Sequence, residues 1–200
     1  VADIPRDVVD DIILVDDAST DGTAAVSRQL GLTTIVHAAN LGYGGNQKTC
    51  YAAALAAGAD IVVMIHPDFQ YDPHYVRQLV ELIATGECDA AFGSRMLQPG
   101  GALAGGMPRW KYWANIILTR IGNAVLRIHL SEYHSGFRAY SRKLLTTVPF
   151  QRNSNDFIFD TEIIVQLRLA GFGIKEIAIP TRYFKHASTI GFWPSVRYGL

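Results

Sequence analysis

The sequence predicts an α/β fold with a mostly parallel central sheet and helices on both of its faces. Short runs of β-branched and aliphatic residues, apolar on both faces, alternate with helix-forming stretches through the first half of the chain. Nearly half of the 200 residues are apolar (49%) and 18% are charged, which fits a globular core and argues against disorder. No repeat or linker divides the chain, so residues 1–200 are expected to form one domain around one core.

The first strand is the run Asp11-Ile12-Ile13-Leu14-Val15, which ends in Asp16 and Asp17. Ser19-Thr20-Asp21-Gly22-Thr23 then turns the chain into a helix from about Ala24 to Leu30. A second strand is expected at Thr33 to His37, and the glycines of Asn40-Leu41-Gly42-Tyr43-Gly44-Gly45 mark a flexible turn. The Ala-rich stretch from Asn46 to Ala57 has strong helix propensity. A third strand, Asp60 to Ile65, ends in His66-Pro67-Asp68 and leads to a helix from about Pro73 to Thr85. Asp89 to Gly93 is a further strand, and Gln98 to Pro108, rich in Gly and Pro, is a loop. A long helix follows from about Arg109 to Arg127, with Trp110, Trp113, Ile117 and Ile121 at three- and four-residue spacing. Glu132 to Ser141 turns into a strand-like segment, then come a helix at Thr161 to Ala170, a strand at Ile174 to Ile179 and an aromatic, basic tail. The polar, Pro-interrupted Val1 to Asp10 supplies no strand, so a sheet of this type lacks its usual opening strand here.

Lys+Arg and Asp+Glu are both 18, so no global basic field draws the chain to nucleic acid or to an anionic membrane, and phosphate recognition must come from a few placed residues. Cys50 and Cys88 have neither metal-ligand spacing nor a disulfide framework, which predicts a reducing, cytoplasmic setting. The first residues do not form a signal peptide, and no apolar run reaches the ~20 residues that span a bilayer.

Chemistry is expected at the C-terminal ends of the parallel strands, where open α/β sheets bind ligands. Two acidic sites fall there: Asp16-Asp17 with Ser19 to Thr23 behind them, and His66-Pro67-Asp68-Phe69-Gln70-Tyr71-Asp72-Pro73. A carboxylate at a strand end accepts hydrogen bonds from a base or ribose, and another shares a hard divalent cation with a diphosphate. The plainer role for Asp17 and Asp21 is to cap the next helix.

Val15-Asp16-Asp17-Ala18-Ser19-Thr20-Asp21-Gly22-Thr23 resembles the VDDxSxDGT motif of family-2 glycosyltransferases. In order after it, Asn40 to Asn46 resembles their NxGxGGA turn and His66 to Pro73 their DADxQxDP segment, which holds the DxD metal motif. Gly93-Ser94-Arg95 resembles GSR, Ser135-Gly136-Phe137-Arg138-Ala139-Tyr140 resembles SGFRxY, and Phe159 to Ile163 and Ile179 to Tyr183 extend the likeness. The chain is most similar to the polyprenyl-phosphate (dolichol-phosphate-mannose-synthase-like) branch.

That resemblance implies a GT-A fold, a GDP- or UDP-sugar donor, a divalent cation (Mg²⁺ or Mn²⁺), inversion at the anomeric carbon, and a polyprenyl phosphate acceptor at the cytoplasmic face of a membrane. By position it implies that Val15 and Asp17 contact the base and that His66, Pro67, Asp68 and Phe69 line the ribose and diphosphate. Asp68 and Gln70, with His66, would ligate the metal, and Arg95 would sit near a phosphate. Arg138, beside Arg109 and Arg127, is a candidate to receive the lipid phosphate, so Asp68, Arg95 and Arg138 are the expected catalytic residues. The family's late Arg and Lys grip the diphosphate; Arg182 and Lys185 stand nearest, with Thr189 at the approximate Lys position.

The chain also departs from the pattern. His66 replaces the first Asp of DxD, and an imidazole suits Mn²⁺ better than Mg²⁺ or only bonds the ribose. The family's first-strand Pro-x-Tyr-Asn-Glu segment, which holds the base, has no counterpart in these residues. Two readings of Trp110 to Leu118 stand open: ordinary core packing or peripheral contact with a membrane interface. His134 either satisfies a loop or acts as the base that a sugar-hydroxyl acceptor needs. Rival functions are transfer to a glycan hydroxyl, nucleotidyl transfer, and nucleotide-sugar binding without catalysis.

Overall fold

The structure, a computed structural model, describes residues 1–180, 182 and 183. Residues 1–12 form turns without a strand. The elements then run β1 (Ile13–Asp16), α1 (Thr23–Gln29), β2 (Thr33–Val36), α2 (Tyr43–Ala56), β3 (Ile61–Met64), a 3-10 turn (Pro73–Tyr75) and α3 (Val76–Ala84). They continue with β4 (Ala90–Ser94), α4 (Gly101–Ala104), α5 (Arg109–Leu126), β5 (Arg138–Ser141), α6 (Arg142–Thr147), α7 (Phe159–Leu169) and β6 (Ile174–Ala178).

Strands β1 and β2 pair in parallel, Ile13 opposite Thr33. The other four lie in the order β3-β5-β4-β6. β4 and β6 are parallel, Ala90 opposite Ile174, while β5 runs antiparallel to both β3 and β4. Three of these four strands therefore point one way and only β5, the SGFRxY strand, is reversed. Because β5 lies between β3 and β4, two of this sheet's three ladders are antiparallel, so it is mixed where a mostly parallel sheet was expected, and the reversal carries Gly136 and Arg138 to the end where β3 releases His66.

Alternate residues of the strands enter different cores, as the two-residue period requires. Val62, Ala90, Phe92 and Tyr140 join Tyr51 of α2, Leu144 and Leu145 of α6 and Ile163, Ile164 and Leu167 of α7. Ala91, Phe137 and Ala139 join Val76, Leu79 and Ile83 of α3, with Ile61 and Val63 packed alongside. Helices thus cover both faces, as expected.

Several boundaries differ from the sequence reading for identifiable reasons. Helix α2 begins at Tyr43, because Gly42 takes φ 83° and the helix admits Gly44 and Gly45 behind it. A Cβ on Gly44 would come within 2.9 Å of Asp156 O and Phe159 Cβ, so close helix-to-loop packing, not turn flexibility, requires glycine there. The expected loop before Pro108 contains α4, entered through Gly100 at φ 74°. Helix α6 starts directly after β5, where the Ser141 side chain accepts the Leu144 amide at 3.2 Å.

The apolar stripe of α5 is not core. Trp113, Ile117, Ile121 and Val125 are between 56% and 74% exposed, and the side of α5 turned inward is polar, with Asn115 and Thr119 buried. Core packing of this stripe is therefore overturned. No helix among the described residues is long and apolar enough to cross a membrane.

Candidate active site

At the end of β1, Asp17 is turned back onto the Asn40–Gly42 turn. Its carboxylate accepts the Leu41 and Gly42 amides at 2.8 and 3.0 Å, and His37 Nδ1 lies 2.7 Å away. Burial works against the charge, yet these bonds together hold Asp17 below the usual carboxylate range. Val15 is buried and its carbonyl accepts the Asn46 amide side chain at 3.2 Å. The pair expected at a base thus ties β1 to the entry of α2, and Asp17 caps the turn ahead of α2 rather than α1. Asp21 takes the plainer role, accepting the Thr23 amide at 2.9 Å where α1 begins.

At the end of β3 the chain opens into a cavity of about 510 Å³. His66, Pro67, Asp68, Gln70 and Tyr71 line one part of it; α5 contributes Trp110, Lys111, Ala114, Asn115 and Leu118; Arg95, His134, Gly136, Tyr43, Phe157 and Asp160 are among the rest of its lining. The turn is tight: Phe69 adopts φ 57° and Asp68 Oδ1 accepts the Gln70 amide at 3.1 Å. Phe69 itself points out and is 67% exposed. The structure thus brings His66, Pro67, Asp68, Gln70 and Arg95 together, and leaves Val15, Asp17, Phe69 and Arg138 out of the cavity lining.

Gly136 of the SGFR motif has a steric reason. A Cβ there would collide with His66 Nε2 and lie 3.2 Å from Tyr43 Oη, so only glycine lets the His66 ring seat against β5. Burial lowers the His66 pKa, with Asp160 and Asp68 opposing, so the ring is neutral at pH 7. His134 faces the cavity, enclosed by protein yet reached by solvent, and burial lowers its pKa too.

Asp160 is the hub that sequence reasoning missed. Its carboxylate accepts Tyr43 Oη at 2.8 Å and Gln47 Nε2 at 3.2 Å, and Arg138 Nη1 lies 3.4 Å away. Burial, then the Asp160 charge, pushes Tyr43 well above the usual phenol range, so it stays a donor. The signal was Asp160 in the quoted Phe159 to Ile163 segment. Glu162 points elsewhere, accepting the Ser154 amide at 2.7 Å.

Both arginines expected to hold phosphate need correction. Arg138 is fully buried, and its guanidinium donates to Ser135 O (2.7 Å), Tyr133 O (2.6 Å), Asp160 O (3.0 Å) and Tyr140 Oη (3.4 Å). These bonds tie the loop before β5 to α7, and the buried guanidinium stays outside the cavity lining where a phosphate would have to reach it. Arg95 does line the cavity, but it is ion-paired with fully buried Glu132 and also donates to His134 O (3.0 Å) and Tyr183 Oη (2.7 Å). Its charge is already compensated. Arg182 is exposed, its amide donating to Gln70 O at 3.2 Å, and Lys185 lies outside the described residues.

The cation the sequence reading overlooked is Lys111. It lines the cavity from α5 with its Nζ 5.4 Å from the Trp110 ring centre and no acidic partner among the described residues. Burial, then the nearby Arg95 charge, lowers its pKa. Its signal was a lone lysine inside the aromatic run Trp110-Lys111-Tyr112-Trp113.

Among the described residues no three His, Cys, Asp or Glu side chains converge to hold a metal ion unaided. Asp68, Gln70 and His66 share the cavity lining, and Asp68 is the one carboxylate of the three that a hard cation would favour.

The family described as Glycosyl transferase family 2 matches residues 6–148. The dolichyl-phosphate hexose transferase of Haloferax volcanii is 29% identical, covering 91% of this chain and 75% of that protein. The polyprenol monophosphomannose synthase of Mycolicibacterium smegmatis is 26% identical over 84% of this chain, which spans 65% of that protein. In fold, the chain is similar to glucosyl-3-phosphoglycerate synthase from Mycobacterium tuberculosis, solved in complex with Mn²⁺, UDP and phosphoglyceric acid. That likeness has a TM-score of 0.71 and 22% identity, and covers 96% of this chain and 64% of that one. With the ordered motifs and the cavity they surround, the match over residues 6–148 shows that this chain belongs to glycosyl transferase family 2.

Proposed function

We propose that this glycosyltransferase moves a hexose from a GDP- or UDP-sugar to a polyprenyl phosphate, with inversion and with a divalent cation. The observation that carries the reading is Lys111, a cation without an acidic partner among the described residues, set in a cavity that also holds Asp68 and is floored by Trp110, Ala114 and Leu118 of α5. An anionic headgroup on an apolar chain satisfies both the lysine and the apolar side chains around it. Asp68 and Gln70, with His66, would hold the cation, which would offset the charge of the departing nucleoside diphosphate. An acceptor phosphate oxygen attacks the anomeric carbon from the face opposite the diphosphate; the new C–O bond forms as the old one breaks. That oxygen is already anionic, so no side chain must take a proton. The relatives named for dolichyl phosphate and polyprenol substrates support this acceptor class.

Lys111→Ala tests the reading. The expected result is a rise of at least about tenfold in the acceptor KM, with UDP and GDP affinity unchanged by calorimetry. Loss of nucleotide binding with an unchanged acceptor KM assigns Lys111 to the donor and sinks the acceptor role.

His134 favours one other reading. A neutral imidazole on the cavity suits a base for a sugar hydroxyl. With a phosphate acceptor, His134→Ala is expected to change kcat by less than about threefold; a general base would cost about 10²–10⁴-fold. The larger loss moves the acceptor to a glycan hydroxyl.

A further inference from the structure

Among the described residues three tyrosines line the cavity, and their hydroxyls are not equivalent. Tyr43 gives its proton to Asp160. Tyr183 instead receives one: Arg95 Nη1 lies 2.7 Å from its oxygen, and a guanidinium only donates. The Tyr183 proton is therefore free for another acceptor, and none takes it among the described residues. Tyr71 shares this property, since its oxygen accepts the Gly136 amide at 3.4 Å. It is 5% exposed and stacked on Phe137, however, whereas Tyr183 is only half-buried. Burial pushes the Tyr183 phenol up to about 12 against the pull of the Arg95 charge, so at neutral pH it offers a proton and carries no charge.

The backbone around Tyr183 fixes where that proton is offered. The Arg182 amide donates to Gln70 O at 3.2 Å, in the turn that carries Asp68. The Tyr183 amide donates to Gly105 O at 2.9 Å, shortly before α5 begins. Gly106 takes φ 94°, and a Cβ on it would lie 3.3 Å from Tyr183 Cβ, so the tyrosine seats closely against the entry of the helix that brings in Lys111. Residues 182 and 183 thus cross from the Asp68 turn to α5. The Arg95 charge acts on Tyr183 and on Lys111 alike, so both groups border the same guanidinium. Arg95 itself is paired with Glu132. What this corner of the cavity has left to give is two donors, the cationic Lys111 ammonium and the neutral Tyr183 hydroxyl.

We propose that Tyr183 is a second ligand of the acceptor phosphate: its hydroxyl donates to one non-bridging oxygen while Lys111 holds another. This rests on the polyprenyl phosphate reading and adds to it a residue that selects the headgroup. A phosphate monoester has three non-bridging oxygens, so two are held and the third is left to attack the anomeric carbon. A hydroxyl bonded to an anionic oxygen fixes the direction of the phosphate without adding charge, and the attacking oxygen keeps its basicity. A polyprenol, with one oxygen and no charge, satisfies neither donor fully. A hydroxyl of the transferred sugar is the poorer partner for Tyr183, because the neighbouring lysine calls for an anion.

Tyr183→Phe keeps the ring and its backbone bonds and removes only the hydroxyl. With a short-chain, detergent-dispersed polyprenyl phosphate as acceptor, the variant is expected to raise the acceptor KM at least about tenfold, with kcat within about threefold of wild type. UDP and GDP affinity, by calorimetry, and urea unfolding are expected to stay as in wild type. In a Lys111→Ala background the effect of Tyr183→Phe is expected to differ from its effect in wild type by at least about threefold, since two groups on one phosphate are not independent. An unchanged acceptor KM for Tyr183→Phe, where Lys111→Ala still raises it, overturns the proposal and leaves the polyprenyl phosphate reading standing. A rise in the donor KM instead overturns it too, and gives the hydroxyl to the transferred sugar. Strictly additive effects overturn it by placing the two groups on different parts of the ligand. Lower stability together with weaker nucleotide binding overturns it by making Tyr183 a support for Arg95 alone. Transfer by wild type to a sugar hydroxyl and not to polyprenyl phosphate defeats the acceptor reading, and this contact with it.

Discussion

Asp68→Asn is expected to lower sugar transfer by about 10²–10³-fold and to abolish the part of UDP or GDP binding that depends on Mn²⁺. Asn isolates the charge. In the native turn Asp68 Oδ1 accepts the Gln70 amide at 3.1 Å, and the carbonyl oxygen of asparagine accepts the same bond, so the left-handed Phe69 and the buried Gln70 keep their places. What disappears is the one carboxylate in the His66 to Gln70 segment, and a hard cation prefers anionic oxygen to amide and imidazole. Calorimetric titration of both nucleotides, with and without Mn²⁺, also reveals which base the protein prefers. Metal-dependent binding that survives in the variant would place the cation elsewhere and remove Asp68 from its shell. No nucleotide binding by the wild-type chain under any condition would defeat the donor site as a whole.

Glu132→Gln is expected to cost about 3–5 kcal/mol of stability, because it leaves the buried Arg95 guanidinium without its counter-charge. Glu132 is fully buried, takes the Arg95 amide at 2.9 Å as well as the guanidinium, and accepts Asn115 from α5. Its own amide donates to Glu176 Oε1 at 3.2 Å, which links the pair to β6. Burial alone would raise the Glu132 pKa, but the Arg95 charge and the Arg95 and Asn115 hydrogen bonds outweigh it and the net direction is down. A depressed carboxylate contributes stability that is present above its unfolded value, about 4.3, and is lost as the pH falls through the folded value. Wild type should therefore lose stability faster than the variant as the solution is acidified below about pH 4.3. Urea unfolding at pH 7 and at descending pH measures both effects; a loss under about 1 kcal/mol at pH 7 would show that the Arg95–Glu132 pair is not a keystone of the cavity wall.

The sequence by itself determined the layer architecture. Strands such as Ile13–Asp16 and Ile61–Met64 are apolar on both faces, and only burial between two helical layers accommodates that. It also determined where ligands gather, since His66-Pro67-Asp68 follows directly on a strand and a strand can release its next residues only at its own end. The Gly-rich turn was legible as glycine-dependent but misread in cause: Gly44 answers to the backbone of residues 154–156, over a hundred positions away.

Charge compensation was decided only by the tertiary structure. Arg95, Arg138 and Lys111 look alike as letters, and the motifs point to the arginines. Yet folding hands Arg95 to Glu132 and Arg138 to carbonyls and Asp160, and leaves Lys111 on the cavity without an ion-pair partner among the described residues. The orientation of α5 was decided in the same way. Its periodicity showed an apolar stripe, but Asn115 and Thr119 won the inner position through their chain of hydrogen bonds to Glu132, and the tryptophan face turned outward. A pattern along one element records which residues share a side of it; which side is buried depends on the partners that distant parts of the chain bring.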